Sequence, residues 1–141
     1  MKTVSYELAL RLKEVAEKHG VVLPDSYFIW YRQDCDKSTH IDKREESPND
    51  IMPRKYLGRD MCDAHTADEL MDWLPIYITL LNHGRFYLMI EKESDPFYFT
   101  VIYHQYNTPA NYFENEILAD ALAQMAIWLI ENGYVKGVGN E

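Results

Sequence analysis

Cysteine and histidine side chains recur in an irregular stretch of the chain, and their spacing suggests a metal site. Cys35 precedes His40 by five positions. Cys62 precedes His65 by three. Thiolate and imidazole are ligands that a tetrahedral zinc ion takes. Neither pair has the CxxC spacing of a zinc knuckle, however, and such residues also occur together by chance in a loop. We therefore expect packed or solvent-exposed side chains, and predict no metal or other cofactor.

The tripeptide Asp63-Ala64-His65 places a carboxylate beside a possible general base. Such a pair would activate a nearby serine or threonine hydroxyl. His65 directly precedes a helix cap, however, which favours a structural role. The sequence contains no GxSxG, HExxH or Gly-rich phosphate-binding motif. Two carboxylate pairs are typical of solvated loop charge, namely Asp34 with Asp36 and Glu45 with Glu46. We predict no catalytic residue.

The N-terminal part of the chain has the apolar period of an amphipathic helix. This helix should run from about Ser5 to His19, with Thr3 or Ser5 as its N-cap. Gly20 is well placed as the left-handed residue after the last turn. Its apolar face holds Val4, Leu8, Leu12 and Val15.

A second helix is predicted from Asn115 to Asn132, and it is apolar around most of its circumference. Leu118, Leu122, Met125 and Leu129 fall on one line. The polar residues share one narrow strip, namely Glu116, Asp120, Gln124 and Glu131. A surface helix usually shows an apolar stripe of about 100°. We therefore expect this helix to lie in a deep groove with neighbours on three sides, after a cap supplied by Asn111–Glu114.

Residues 66–104 give the clearest local signals. Thr66 and Glu69 have the spacing of a capping box, which begins a short helix that Pro75 ends. Three alternating runs then follow, around residues 76–81, 86–91 and 97–104, with turns expected at His83-Gly84 and Ser94-Asp95-Pro96. This pattern predicts an antiparallel meander with one strongly apolar face.

The segment between the first helix and the capping box is less regular. Residues 27–32 read as a strand. Residues 33–65 show no period and are predicted as a long irregular loop, either a mobile insertion or one that contains a short strand near Ile51–Leu57. The loop should be the part of the chain that varies most in function.

These elements predict a single α+β domain over residues 1–141, with a short tail at 137–141. The expected architecture is two-layered, with a three- to four-stranded antiparallel meander packed against the long C-terminal helix. The N-terminal helix and the irregular loop complete the domain.

The second face of the meander is the most suggestive candidate site. Tyr77, Tyr87 and Tyr98 occupy outward positions in successive strands, with Met89 and Ile102 beside them. Aligned in register, these side chains would form an aromatic binding surface for a protein or a small ligand. Alternatively, the N-terminal helix, the strand at 27–32 or a second subunit covers them.

Charge and hydropathy exclude several classes of partner. The formal net charge is −9, and residues 64–141 carry three Lys or Arg against eleven Asp or Glu. Such a surface repels phosphate, so we expect no nucleic acid partner, and its carboxylates are too sparse to mimic DNA. No apolar stretch predicts a membrane span. The first residues, MKTVSYELALRLKEV, lack the apolar core of a secretory signal, so we expect a cytoplasmic protein.

Two stretches are similar to a known group of proteins. HTADELMDWLP at His65–Pro75 and LADALAQMAIWLIENGYVK at Leu118–Lys136, with ALRLKE at Ala9–Glu14, resemble small uncharacterised bacterial proteins of phage or prophage type. The resemblance covers about two thirds of the chain and omits the irregular loop. It implies a shared fold. It carries no activity and no functional residues, since none are assigned to the group.

The leading functional hypothesis is a phage-like, non-enzymatic accessory protein that binds a protein partner or associates with itself. The rival hypothesis is a small-molecule-binding protein or hydrolase. Its pocket would lie between the 33–65 loop and the sheet and would use His40, His65 or His104.

Overall fold

The computed structural model describes residues 2–32, 39–43, 62–106 and 108–135, with only the backbone at Tyr31, Arg32, Asp42 and Lys43. The helices in these residues are α1 (Tyr6–His19), α2 (Ala67–Trp73) and α3 (Leu118–Glu131). The strands are β1 (Phe28–Arg32), β2 (Thr39–Lys43), β3 (Cys62–Ala64), β4 (Tyr77–Leu80), β5 (Gly84–Ser94), β6 (Phe97–Gln105) and β7 (Thr108–Asn115). The predicted α+β class is therefore confirmed. None of the helices described is long and apolar enough to cross a membrane.

The strands form two antiparallel sheets. β4, β5, β6 and β7 pair in chain order as a four-stranded meander, and β1 lies between β2 and β3 in a smaller sheet. Side chains alternate between the faces of a strand, and the inner face of the larger sheet contributes Ile78, Phe86, Val101 and Tyr103 to the core. The Tyr103 hydroxyl donates a hydrogen bond to Pro75 O over 2.6 Å. This bond ties the sheet to the segment that follows α2.

α3 is the most deeply buried helix. Ten of its fourteen residues are buried, so it is covered over most of its circumference. α1 packs against it, β6 and β7 contact it from the sheet, and α2 also contacts it. This confirms the predicted groove with neighbours on three sides. Leu122, Met125 and Leu129 are fully buried, and burial of each such side chain stabilises the fold by about 1.5–3 kcal/mol.

A capping box begins α2, as predicted. Thr66 Oγ1 accepts a hydrogen bond from Glu69 N over 3.3 Å. Glu69 Oε1 accepts one from Thr66 N over 2.8 Å. The other carboxylate oxygen of Glu69 accepts a hydrogen bond from Tyr27 N over 2.9 Å. One side chain therefore caps α2 and also fixes the segment that leads into β1.

The β4–β5 loop is one residue longer than predicted. Leu80 pairs with Gly84, so the loop consists of Leu81–His83 and the predicted two-residue loop at His83-Gly84 is wrong. Gly84 does adopt a positive φ of 83°, but Asn82 also takes a left-handed φ of 69°. Because asparagine tolerates this conformation, a three-residue loop forms without a glycine at its centre.

Part of the predicted irregular loop at 33–65 is sheet. β2 and β3 both come from this segment and pair on either side of β1. β2 reads THIDK and β3 is only three residues long, so neither shows a strand period. Pairing with β1 fixes their conformation. The strand predicted near Ile51–Leu57 and the tail at 137–141 lie outside the described residues.

A fourth meander strand occupies the position of the predicted helix cap at Asn111–Glu114. These residues belong to β7, and α3 begins only at Leu118. Proline and asparagine lower the strand propensity of β7, and Pro109 is tolerated because β7 is an edge strand. The N-cap residue Ile117 makes no side-chain cap bond. Instead, Asn115 Oδ1 accepts a hydrogen bond from Ile117 N over 3.0 Å.

Asp120, a member of the narrow polar strip of α3, is buried. Asp120 is 6% exposed, and its Oδ1 accepts a hydrogen bond from Ser5 N over 2.7 Å. Ser5 is the N-cap residue of α1, and its own side chain makes no cap bond. The carboxylate thus lies at the positive end of the α1 dipole, where a negative charge is stabilising. The sequence predicts that the side chain of Thr3 or Ser5 caps α1. In the structure, the side-chain acceptor at this helix end is Asp120 of α3.

Replacement of Asp120 by alanine should lower the free energy of unfolding by about 2 kcal/mol, because the partly buried N–H of Ser5 loses its carboxylate acceptor. Asp120→Asn keeps an oxygen acceptor and should be clearly less destabilising. Urea denaturation followed by circular dichroism measures both. Glu116→Ala, at an exposed position near the start of the same helix, should change the value by no more than about 0.5 kcal/mol. Equal losses for the alanine and asparagine variants would contradict this role of the hydrogen bond.

Candidate binding surface

Aromatic and apolar side chains cross all four strands on the outer face of the larger sheet. Tyr77 of β4 lies opposite Tyr87 of β5, and the centroids of their rings are 5.8 Å apart. Two residues further along β5, Met89 lies opposite Ile102 of β6. Ile102 in turn lies opposite Tyr112 of β7. These five residues form a continuous surface, the aromatic strip.

The aromatic strip is open to solvent within the described part of the chain. Tyr77, Tyr87 and Tyr112 are 40%, 46% and 51% exposed. Met89 and Ile102 are half-buried between them. The N-terminal helix and the strand at 27–32 are two of the covers that the sequence allows for this face. Neither covers it, because α1 packs on α3 and β3, and β1 belongs to the smaller sheet.

Charged side chains flank the aromatic strip at both ends. The Arg85 guanidinium carbon lies 4.3 Å from the centroid of the Tyr77 ring, within the range of a cation–π contact. Beyond the other end, Glu91 and Glu114 lie opposite Thr100 on its two sides. An apolar centre with a charged rim is typical of a protein–protein interface.

Tyr98 lies on the same face but not in the aromatic strip. It lies opposite Glu93, whereas Tyr87 lies opposite His104. Tyr98 is therefore four residues from Ile102 along β6, or about 13 Å, with Thr100 between them on the same face. Of the five residues predicted as a partner surface, the structure brings together Tyr77, Tyr87, Met89 and Ile102 and leaves Tyr98 apart.

The carboxylates around Tyr98 make its end of the face negative. Burial raises the pKa of the Tyr98 hydroxyl above its usual value, and Glu114, Glu93 and Glu91 raise it further because a phenolate would meet like charges. This end of the sheet therefore favours a positively charged group on any molecule that binds the face.

Tyr112 is the member of the aromatic strip that sequence reasoning misses. It lies in β7, which the sequence predicts as a helix cap. Tyr112 and Glu114 face outward, while Phe113 lies opposite the buried Val101 on the inner face. This short alternation is the one local sign of a strand in this segment, and it spans too few residues to establish a strand period.

The structure separates the residues of the zinc hypothesis. Cys62 and Ile41 both lie opposite Trp30, on different sides of β1. His40 is the residue next to Ile41, so its side chain belongs to the opposite face of the sheet from Cys62, two strand spacings or about 10 Å away. The other candidates lie outside the described residues: Cys35, Asp34 with Asp36, and Glu45 with Glu46. Within those residues, no group of three His, Cys, Asp or Glu side chains is placed to hold a metal ion.

His65 occupies a structural position. Its side chain is 1% exposed, and Nε2 donates a hydrogen bond to Pro24 O over 2.9 Å, since a carbonyl oxygen can only accept. The backbone carbonyl of His65 accepts a hydrogen bond from Val4 N over 2.9 Å. The residue therefore holds the N-terminal segment and the approach to β1 against the start of α2.

The three histidines of the rival hypothesis do not meet in one site. His40 lies on β2, at one edge of the smaller sheet, and His65 follows β3 at the other edge. His104 lies on the outer face of the larger sheet, where its Nδ1 is 2.9 Å from Tyr106 O.

A cavity of about 300 Å³ lies between α1 and β3. Lys13 and Glu17 line it from α1, and Cys62 and Asp63 line it from β3. Burial raises the pKa of Cys62 to about 11, against a smaller opposing effect of Lys13. The thiol therefore stays protonated at neutral pH and is not the thiolate that a cysteine nucleophile requires.

Comparison with known proteins adds no relative. No family model, no curated protein and no solved structure matches this chain. The functional conclusion therefore depends on the aromatic strip and the cavity.

The free energy of unfolding should decrease at alkaline pH because of Cys62. Its pKa rises from 9.0 to about 11 on folding, so the folded state binds this proton more tightly than the unfolded state. The stabilisation is complete below pH 9 and is lost as the pH rises towards 11. In urea titrations we expect the free energy of unfolding to decrease by about 2–3 kcal/mol over this range because of Cys62. Cys62→Ala should abolish this decrease.

Val21→Ala, which trims a side chain of the same cavity and changes no titratable group, is the matched control and should keep the wild-type slope of free energy against pH. Comparing slopes separates the thiol from tyrosines that ionise in the same range. Equal slopes for the wild type and Cys62→Ala would contradict the assignment.

Proposed function

We propose that this chain is a non-enzymatic binding module that docks a protein partner on the aromatic strip. The observation that carries the proposal is a register-aligned set of five apolar and aromatic side chains, in which three tyrosines at 40–51% exposure surround the half-buried Met89 and Ile102. Tyrosine and methionine are enriched at protein interfaces. Contiguous exposed apolar side chains with a polar rim mark sites of this kind.

The charges around the aromatic strip define the chemistry of the partner. Glu91, Glu93 and Glu114 lie on the same face beyond one end of the strip, and the whole chain carries a net charge of −9. A partner segment with apolar side chains and a few lysines or arginines would match both features. The same charges repel a nucleic acid backbone. A second copy of this chain is the alternative protein partner for the aromatic strip.

The polar groups best suited to chemistry already have structural roles, which supports a binding rather than a catalytic function. His65 is held by Pro24 O, and Asp120 is held by Ser5 N. Burial keeps Cys62 protonated. A general base or nucleophile has to be free to exchange protons with a substrate.

The proposal includes a cytoplasmic accessory role of the phage or prophage type. It is supported by the resemblance of His65–Pro75 and Leu118–Lys136 to small proteins of that origin. The first stretch contains the capping box of α2, and the second contains the buried helix α3. The resemblance supports a shared architecture and setting, and it transfers no catalytic residue.

The alternative is a small-molecule site in the cavity between α1 and β3. Lys13, Glu17 and Asp63 bring charges of both signs to its wall, which would suit a small polar ligand. The protonated thiol of Cys62 supports ligand binding better than hydrolysis, because the cavity then contributes no activated cysteine.

Simultaneous replacement of Tyr87 and Tyr112 by serine should weaken partner binding at least about tenfold, because anchor residues of this type each contribute more than about 1 kcal/mol. A partner captured from a bacterial lysate by immobilised wild-type protein, and identified by mass spectrometry, is purified and titrated against each variant. Tyr98→Ser is the matched control on the same face and should bind within about threefold of the wild type.

Thermal melting of the three proteins checks that the substitutions leave the fold intact, as the exposure of both tyrosines predicts. Equal affinities for the wild type and the double variant would contradict docking on the aromatic strip.

Native mass spectrometry of the untreated protein distinguishes the alternative. A ligand in the cavity would add a mass that disappears under denaturing conditions and that Lys13→Ala reduces. A bound mass that Lys13→Ala leaves unchanged, or no bound mass at all, contradicts the cavity as the functional site.

A further inference from the structure

β7 presents backbone groups that no neighbouring strand of the described chain uses, at the edge of the larger sheet. In the described part of the chain, no strand pairs with its outer side. Tyr112 N donates a hydrogen bond to the side-chain oxygen of Asn111 over 2.9 Å, so this N–H points away from β6. Alternate residues of a strand direct their N–H and C=O groups to the same side, so Glu114 also presents its groups outward. Another extended strand is the natural complement of such an edge.

A groove of mixed character lies beside this edge on the inner side of the sheet. It has a volume of about 240 Å³, and its apolar lining consists of Phe113 of β7, Leu8 of α1, and Ile127 and Trp128 of α3. Arg11, Gln124 and Glu131 complete the lining, and the Arg11 guanidinium lies 3.5 Å from the Glu131 carboxylate. Phe113 and Trp128 are half-buried. A strand added to β7 would direct the side chain next to Phe113 towards this groove, because residues in register share a face.

β7 is complementary to a second copy of itself. In an antiparallel pair centred on Phe113, Tyr112 would lie opposite Glu114 of the partner subunit, and each such pair would exchange both backbone hydrogen bonds. Tyr112 N would give up its bond to Asn111 Oδ1 for one to the backbone carbonyl of Glu114 of the partner subunit. Asn111 would lie opposite Asn115 of the partner subunit, where two amides can bond. Phe113 would meet Phe113 of the partner subunit at the two-fold axis, in the closely spaced type of pair that brings side chains together. No two carboxylates would lie directly opposite each other in this register.

Within the larger sheet, other pairings of the two edge strands are less favourable. β4, at the opposite edge, has only four residues. Pairing β7 with β4 of another copy would join two different edges and extend into open fibres, whereas pairing β7 with itself closes by two-fold symmetry. Pro109 lacks an N–H and would interrupt pairing at the start of β7. The register centred on Phe113 uses only residues 111–115.

We propose that two copies of this chain associate through antiparallel pairing of β7 about Phe113. The two four-stranded sheets then form one continuous sheet of eight strands. The two Phe113 side chains meet at the axis, between the groove of one copy and that of the other. Because Tyr112 lies in β7, the aromatic strips of both copies become neighbours on one surface. Tyr112 belongs to both sites, but Tyr87 lies outside the dimer contact and the N–H of Glu114 lies outside the aromatic strip. Tyr87→Ser therefore tests partner docking alone, and Glu114→Pro tests the dimer, so either site can fail without the other.

Glu114→Pro tests the backbone contact. It removes an outward N–H that the chain's own sheet does not use, and it should weaken the dimer at least about tenfold because bonds are lost on both sides of the axis. Glu114→Gln removes the charge, keeps the N–H and should dimerise like the wild type. Dissociation constants come from sedimentation equilibrium and native mass spectrometry. A wild-type chain that remains monomeric at the highest concentration reached, or a proline variant that dimerises as tightly as the glutamine variant, overturns the proposal.

Disulfide trapping tests the register without relying on the fold of the proline variant. A chain with both Tyr112→Cys and Glu114→Cys would place new thiols opposite each other across the axis, with Cα atoms about 5.5 Å apart, within disulfide range. Mild oxidation should give a covalent dimer linked between positions 112 and 114, identified by peptide mapping. Each single variant, which keeps the native cysteines, should not give this link. Absence of the 112–114 link in the double variant rejects the register.

Discussion

The packing of α3 between α1 and the inner face of β6 and β7 is the contact on which the other elements depend. A helix with apolar side chains on almost every side is stable in water only when neighbours cover it. The sheet supplies one cover, α1 supplies another, and α2 supplies part of a third. The one charged side chain buried in α3, Asp120, is also used in this packing, since it accepts the N–H of Ser5 at the start of α1.

Because α3 occupies the inner face of the larger sheet, the aromatic residues of the other face cannot join the same core. An antiparallel sheet covered on one side usually shows polar residues on the other. Here the outer positions include Tyr77, Tyr87, Met89, Ile102 and Tyr112, and the charged residues lie towards the ends. The departure from the usual alternation is what makes this face a candidate for binding rather than an ordinary solvated surface.

Side chains that would suit chemistry instead hold the elements together. His65 bonds to Pro24 O, Glu69 caps α2 and also accepts Tyr27 N, and Tyr103 bonds to Pro75 O. The bonds of His65 and Tyr103 each join residues distant in the chain at a partly buried carbonyl that would otherwise lack this partner, which is costly. The bond from Tyr27 N to Glu69 is also long-range, but it lies at the surface. These polar side chains therefore connect the elements of the fold. The surfaces left to bind other molecules are the aromatic strip and the outer edge of β7.

The sequence by itself determined the elements whose signals are local. The apolar circumference of Leu118–Glu131, the capping box at Thr66 and Glu69, and the alternation through β5 and β6 all follow from residue types at fixed spacing. Tertiary structure alone decided β2, β3 and β7, whose residues acquire a strand conformation by pairing. It also decided the burial of Asp120. The strand register, likewise decided by tertiary structure, places Tyr112 in the aromatic strip and leaves out Tyr98, which the sequence predicts there. The physical reason is that pairing partners, shared faces and long-range hydrogen bonds depend on which distant segments meet, and residue spacing within one segment does not contain that information.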